Sequence, residues 1–287
     1  MRPTSEHVQH PDAWPHRNAA RRVLGLAALG LGMLVLASCA GATPHDPATP
    51  SVTDAAQPPS NLHIVFGLDF DGDDRLASTP LGAATVTEER AFDGDIDFVD
   101  SYKGGGTAAK FPAFVDSDKE PGVGLVVTAA DAPLPDPGDA EFGWGATLRY
   151  DDPGAASDSD NGDNVLQRGL AADPVQFKLQ ADHGVPSCSV TGTAGRVLVK
   201  GELLTADVWY RVACLRTQDD LTLTVTDLTD ETTATFRETG TTGTVDFADD
   251  VPIAIGRKVG PGGRMITDQP DQFNGTMDSV WVGIASH

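Results

Sequence analysis

Apolar and polar residues alternate with a period of two along most of the chain after residue 60. Residues 176–180 and 221–226 alternate one by one, and Tyr210, Val212 and Cys214 share one face of a third segment. This period places successive side chains on opposite faces of a β-strand. No segment after residue 39 shows the 3.6-residue period of an amphipathic helix. The pattern therefore predicts an all-β region.

Clusters of Gly, Asp, Pro and Asn separate many short segments of this kind. Many short strands bounded by turn residues are typical of a two-sheet sandwich or a barrel. The strands predicted from the pattern cover residues 62–70, 83–87, 107–115, 122–129, 142–151, 164–168, 174–182, 187–192, 195–200, 207–216, 220–228, 232–238, 251–256 and 276–284.

The first 39 residues follow a different pattern. Arg21 and Arg22 precede an apolar run at 23–37, which ends in the sequence Leu-Ala-Ser-Cys at 36–39. A run of about 15 residues is shorter than the roughly 20 that a membrane-spanning helix needs. Basic residues, a short apolar segment and small residues before a cleavage point are typical of a signal peptide.

The sequence at 36–39 resembles the lipobox of bacterial lipoproteins. That resemblance implies cleavage before Cys39 and attachment of diacylglycerol to its sulfur. An uncleaved membrane anchor, or an ordinary signal peptide followed by a chance cysteine, is the alternative. Whether export follows the general secretory or the twin-arginine route is left open by the arginine pair.

These features divide the chain into three parts. Residues 1–38 are predicted to be the signal peptide, 39–60 a lipidated linker rich in Pro, Ala and Thr, and 61–287 a β domain. The linker has too few apolar residues to offset the entropy of ordering, so we expect a disordered tether. The expected location is the extracellular face of the cell membrane, with the lipid on Cys39 as anchor.

The net charge of the chain limits the classes of partner that it is expected to bind. The chain carries 42 acidic and 20 basic residues and has a formal net charge of −22. Such a surface is repelled by nucleic acid and by anionic lipid headgroups, so nucleic-acid binding is not expected. The charge is compatible with a soluble extracellular domain and with calcium binding.

The chain has three cysteines, and assigning Cys39 to the lipid leaves Cys188 and Cys214. An even pair in an exported protein is expected to form a disulfide. A metal-binding or redox pair is the alternative, but the CxxC spacing is absent. Both residues fall in predicted strands, so the bridge is expected to join two neighbouring or facing strands.

A series of short motifs occurs in order between residues 61 and 286. They read GGTAAKFP (105–112), FGWGA (142–146), DNVLQRG (163–169), QFKLQ (176–180), DVWYRVAC (207–214), IAIG (253–256) and QFNGTMDSV (272–280). The set resembles the laminin-G-like domains of the concanavalin A-like lectin/glucanase superfamily, in the form found in high-GC Gram-positive (actinobacterial) species. The resemblance implies a two-sheet antiparallel jelly-roll β-sandwich.

The resemblance also implies a calcium site. Related jelly rolls often bind one structural calcium ion through residues near the first strand and an aspartate of the last strand. Here Asp69, Asp71, Asp73 and Asp74 cluster near the first predicted strand, and the last-strand aspartate is Asp278. We predict Asp69, Asp71 and Asp278 as ligands, with backbone carbonyls completing the six to eight oxygens that calcium needs. A solvated acidic loop and a hydrogen-bonded turn aspartate are the alternative.

Glucanases of this superfamily carry a Glu-x-Asp-x-x-Glu strand, and residues 95–100 have this spacing as Asp-Ile-Asp-Phe-Val-Asp. Retaining glycosidases hold two carboxyl groups about 5–5.5 Å apart. Asp95 and Asp100 are each one methylene shorter than glutamate, so their carboxyl groups are expected to lie too far apart. We therefore predict no catalytic residues, with a diverged glycoside hydrolase as a less favoured alternative.

Aromatic residues offer a second kind of candidate. Trp144, Trp209 and Trp281 lie in predicted strands and are expected to pack in the core, whereas Tyr102 and Tyr150 lie near strand ends, where they could stack on a sugar. Together the observations predict a surface-anchored, non-enzymatic module that binds an extracellular carbohydrate or protein. A purely structural or adhesive cell-envelope protein is the alternative, and no ligand-binding residue is assigned.

Overall fold

The computed structural model describes residues 58–80, 84–117, 119–152 and 162–286. The predicted signal peptide, Cys39 and most of the predicted linker lie outside these residues. The described strands are β1 (Leu62–Leu68), β2 (Ala84–Ala91), β3 (Asp97–Asp100), β4 (Thr107–Lys110), β5 (Gly122–Ala129), β6 (Phe142–Tyr150), β7 (Asp163–Arg168), β8 (Gln176–Asp182), β9 (Val185–Gly192), β10 (Gly195–Lys200), β11 (Trp209–Arg216), β12 (Asp220–Asp227), β13 (Thr232–Thr239), β14 (Ile253–Ile255) and β15 (Gly275–Ala285).

The strands form two antiparallel sheets. Sheet A has the order β13-β12-β11-β6-β15-β4-β3, and β1 also pairs with β15. Sheet B has the order β10-β9-β8-β7-β14-β5-β2. The prediction of an all-β, two-sheet antiparallel jelly-roll sandwich is confirmed.

Short 3-10 turns at Tyr102–Gly104 and Pro261–Gly263 are the helical elements of the described residues. Within these ranges no helix has the length and apolar character needed to cross a membrane.

The core fills the space between the inward faces of the two sheets. Trp144 of sheet A stacks on Phe142 and tilts against Phe177 of sheet B, with ring centroids 5.1 and 5.2 Å away. All three side chains are fully buried. Aromatic pairs at these separations stabilise a fold beyond the area that they bury. This cluster places β6 and β8 opposite each other at the centre of the sandwich.

Cys188 and Cys214 form the predicted disulfide. Cys188 lies in β9 of sheet B and Cys214 in β11 of sheet A, so the bridge links the two facing sheets. Both residues are buried in the core. The sequence left neighbouring and facing strands as alternatives, and the structure selects facing strands.

Trp281 is buried as expected, but it lies outside the main core. It packs with Leu62 on the outer face of sheet A, over Gly143 and Gly145 of β6. A bulge between Asp278 and Trp281 shifts the register of β15 and reverses its inward and outward alternation. Because of this bulge, Trp281 lies on the outer face and not in the main core, where it was expected.

β3 was not among the predicted strands. Its side chains are mostly exposed and it pairs only with β4 at the edge of sheet A. An edge strand with little burial on either face gives no alternation of apolar and polar residues, so the sequence carried no signal for it.

The disulfide is expected to stabilise the fold because it joins residues 26 positions apart. Loop-closure entropy gives about 3.5 kcal/mol for a loop of this length. We therefore expect the double variant Cys188→Ala/Cys214→Ala to lose about that much free energy of unfolding, measured by denaturant titration followed by circular dichroism. A thiol reductant should destabilise the wild type and leave the double variant unchanged. An equal effect of reductant on both proteins would contradict the prediction.

Candidate functional site

The first group of interest contains the aspartates predicted to bind calcium. Asp69 and Asp71 follow β1, and Asp278 lies in β15. The Thr107 N–H donates to Asp71 Oδ1 at 2.7 Å, and the Asp71 N–H donates to Asp69 Oδ1 at 3.1 Å. The carboxylates of Asp69 and Asp71 therefore hold the loop after β1, which is a structural role.

Asp278 occupies a more buried position, with 7% of its surface exposed. Its Oδ1 accepts the Ser279 N–H at 2.6 Å, and its Oδ2 accepts the Ser101 hydroxyl. Burial is the main reason that the pKa of Asp278 is raised to about 6; the charge of Asp71 adds to the rise, and the hydrogen bonds from Ser101 and Ser279 oppose it. The structure thus brings Asp71 and Asp278 close enough to repel each other.

These residues only partly match the donor set predicted for calcium. Within the described ranges, no three or more His, Cys, Asp and Glu side chains are grouped to hold a metal ion. The Asp71–Asp278 pair supplies two carboxylates, whereas Asp69 is engaged with the backbone of its own loop. The three-aspartate calcium site therefore stays a prediction.

The second group lines a cavity of about 310 Å³ at one end of sheet B. We call it the sheet B cavity. It lies where the chain turns from β7 into β8, beside the segment that leads into β14. Its lining consists of residues 167, 169–170, 173–175, 246–248, 250–252, 254 and 259–261.

Phe247 connects the cavity wall to the core. Its ring packs edge-on against Phe177 at 5.7 Å, and the Arg168 guanidinium lies 4.4 Å from the ring centroid. Arg168 also pairs with Asp136 at 2.8 Å and donates to the Val251 carbonyl at 3.1 Å. Because Arg168 is nearly fully buried, these contacts fix the 246–252 segment against β7.

Gln167 forms part of the floor and is only 2% exposed. Its Nε2 donates to the Gly169 carbonyl at 3.1 Å, whereas its Oε1 has no hydrogen-bond partner. Gly169 has a φ of 78°, and a Cβ atom there would lie 2.3 Å from the Val175 carbonyl oxygen. The turn from β7 into β8 therefore requires glycine, and it places Gln167 at the cavity.

Carboxylates and apolar side chains share the cavity lining. Asp173, Asp246 and Asp250 line it, and no Lys, Arg or His side chain does so among the residues that the structure describes. Asp173 Oδ2 accepts the Leu170 N–H at 2.7 Å, which closes the turn. An apolar wall with carboxylates beside it can hold a ligand that is apolar on one side and donates hydrogen bonds on the other.

The sequence analysis did not identify this cavity. Its residues come from turns that are far apart in the chain and carry no motif, so only the fold brings them together. A weak signal was available in the Asp-rich segment 246–250, which also contains Phe247.

The two tyrosines and the two aspartates that the sequence analysis considered do not line this cavity. Tyr150 is only 1% exposed and packs against Phe273, with ring centroids 5.0 Å apart, so the possibility that it stacks on a sugar is excluded. The Tyr102 hydroxyl donates to the Leu228 carbonyl. Asp95 precedes β3 and pairs with Arg90 at 2.9 Å, while Asp100 ends that strand.

No protein-family model matches the chain, and no curated protein matches it. Among solved structures, the binding domain of Paraclostridial Mosquitocidal Protein 1 is similar, with a TM-score of 0.51 and 12% identity. That match covers 78% of this chain and 49% of that binding domain. A likeness at this identity shows the sandwich fold and nothing about the ligand.

Two further matches are weaker. The LG1-3 region of the laminin alpha2 chain has a TM-score of 0.41 and 14% identity, over 54% of this chain and 31% of that region. Domain 4 of AbnA, a GH43 extracellular arabinanase from Geobacillus stearothermophilus, has a TM-score of 0.47 and 15% identity. That match covers 78% of this chain and 93% of the AbnA domain. The chain thus spans less than a third of the laminin region and about half of the binding domain of the mosquitocidal protein.

Asp278 gives a testable dependence of stability on pH. Its folded pKa of about 6 lies above the value of about 3.9 expected in the unfolded chain. The contribution of such a carboxyl group to stability is fully present at pH values below its pKa in the unfolded chain. It is lost as the pH rises through its pKa in the folded protein. We expect Asp278→Asn to exceed the wild type in free energy of unfolding by on the order of 2 kcal/mol at neutral pH.

Below about pH 4 the two proteins should have equal stability, because both then carry a neutral side chain at this position. The measurement is denaturant unfolding over a series of pH values. The variant Asp230→Asn, at an exposed turn, controls for the change in net charge. A difference between Asp278→Asn and the wild type that stays constant with pH would contradict the prediction.

Proposed function

We propose that the β domain is a carbohydrate-binding module and that the sheet B cavity is its binding site. The observation that carries the proposal is the combination of an apolar wall and three carboxylates in one cavity. Sugars match this combination because their rings have apolar C–H faces and polar hydroxyl edges. The proposal involves no catalytic step.

The size and chemistry of the cavity support a sugar. Small-molecule sites span about 300–1,000 Å³, and this cavity of about 310 Å³ lies at the lower end of that range. Phe247 and the prolines at 174, 252 and 261 provide surfaces against which C–H groups can pack. The carboxylates of Asp173, Asp246 and Asp250 can accept hydroxyl hydrogens in charge-assisted bonds.

Filling the cavity tests this function. Ala248 is exposed and lines the cavity, so Ala248→Trp is expected to occupy the cavity without disturbing the core. On a glycan array, the wild type should bind at least one oligosaccharide, and Ala248→Trp should lose most of that binding. Ala234→Trp, on the exposed strand β13, is the matched control and should bind as the wild type does.

Two results would count against the proposal. Equal binding by wild type and Ala248→Trp would place the sugar elsewhere on the domain. Failure of the wild type to bind any glycan would favour a protein ligand or a purely adhesive role.

We further propose that a lipid on Cys39 anchors the protein at the extracellular face of the cell membrane. The support is the sequence alone: the apolar run at 23–37 ends in the small residues at 37–38, which precede Cys39. Metabolic labelling with an alkyne-tagged fatty acid should mark the wild type and the Cys188→Ala/Cys214→Ala variant but not Cys39→Ser. Labelling of Cys39→Ser, or none of the wild type, would rule out the anchor.

A calcium ion between Asp71 and Asp278 is also proposed. The support is the repulsion between these two carboxylates, which a divalent cation would relieve. Backbone carbonyls and Asp69 are the further oxygens that the loop after β1 could supply. Millimolar calcium is expected to raise the melting temperature of the wild type but not of Asp278→Asn. Equal shifts in both proteins, or no shift in either, would remove this proposal.

A further inference from the structure

We propose that the ligand of the sheet B cavity is cationic, and specifically an amino sugar whose nitrogen is a free ammonium group. This inference rests on the proposed carbohydrate-binding function and adds the charge of the ligand to it. It follows from the charges around the cavity and from the hydrogen-bonding capacity of its lining.

The charge balance around the cavity is negative. Asp173, Asp246 and Asp250 line it, and none of the described lining residues is basic. Arg168 lies behind the wall, but it is paired with Asp136 at 2.8 Å and also interacts with the charge of Asp249. The nearest buried cation is therefore already paired, and none of the described lining residues offers a counter-charge to the three aspartates.

The remaining hydrogen-bonding capacity of the lining side chains consists of acceptors. Gln167 uses its Nε2 on the Gly169 carbonyl, and its Oε1 is buried without a partner. The other polar side chains are aspartates, which accept hydrogen bonds when ionised. An ammonium group carries three donors and no acceptor, so it matches this lining better than any other substituent of a sugar ring.

The apolar part of the lining strengthens the preference. Leu170, Val175, Phe247 and Val259 form a wall of low polarity beside the carboxylates. Electrostatic attraction is stronger next to such a wall than in open water, because fewer water molecules screen the charges. A sugar ammonium gains from this arrangement, whereas an N-acetyl carbonyl or a uronic acid would bring a further acceptor or negative charge.

Three tetrasaccharides with the same β-1,4 linkage separate these alternatives: glucosamine tetramer, N-acetylglucosamine tetramer and cellotetraose. They differ mainly in the group at C2, which is an ammonium, an acetamide or a hydroxyl. Isothermal titration of the full-length protein at mildly acidic pH keeps the amines protonated. We expect the glucosamine tetramer to bind roughly ten- to a hundredfold more tightly than either of the others.

Two variants test whether the preference for an ammonium group arises in the sheet B cavity. The double variant Asp246→Asn/Asp250→Asn removes two charges at exposed positions and should reduce affinity for the glucosamine tetramer by roughly tenfold or more. Asp230→Asn, an exposed aspartate of the β12–β13 turn, should leave the affinity unchanged. Unfolding curves of the variants that overlay the wild type show that the loss is local.

Each alternative outcome has a distinct meaning. Equal or tighter binding of cellotetraose or the N-acetylated tetramer would overturn the cationic ligand while leaving the carbohydrate-binding function in place. Binding of none of the three, or no loss in the double variant, would also overturn it. The glycan array with Ala248→Trp then decides separately whether the cavity binds sugars.

Discussion

The burial of facing side chains between the two sheets is the constraint on which the rest of the structure depends. Trp144 and Phe177 meet at the centre of the sandwich, and the Cys188–Cys214 bridge joins the same two layers. Phe247 continues this packing outward, because its ring contacts Phe177 and also lines the sheet B cavity. The shape of the cavity is therefore set by core packing, although loops provide most of its surface.

Some of the buried or partly buried cations in this acidic domain are held by specific carboxylates. Besides the Arg168–Asp136 pair, Asp271 lies 2.7 Å from Lys178 Nζ and 3.1 Å from Lys258 Nζ. Burial lowers the pKa of Lys178, and Asp271 opposes that shift. Removing one partner of such a cluster leaves a buried charge without compensation, which is costly. Asp136 and Asp271 therefore have structural roles.

Strands with alternating apolar and polar residues were predictable because this alternation is a local property of the sequence. β8 and β12 are examples, and the two-sheet fold follows from many segments like them. β3 was missed because it lies at an exposed edge. Trp281 is buried as expected, but a bulge places it on the outer face of sheet A and not in the main core. The cavity could not be predicted, since Gln167, Asp173 and Phe247 meet only after distant turns are brought together. Asp278 was singled out from a resemblance, but its burial and its proximity to Asp71 required the structure.

Strand β6 has consequences for how the sequence can vary. Its Phe142, Trp144, Ala146 and Leu148 face the core, while a Cβ atom on Gly143 or Gly145 would lie within about 3 Å of neighbouring atoms. Neither face of this strand can gain side-chain volume, and the core face cannot lose it without leaving a void. Substitutions are therefore expected to accumulate in the loops, including the 246–252 segment at the cavity. Descendants of this chain could keep the sandwich and vary the exposed side chains at the cavity, such as Asp246, Ala248 and Asp250. Phe247 lies between them and is held by its core contact with Phe177, so the cavity would change in its polar groups before it changed in shape.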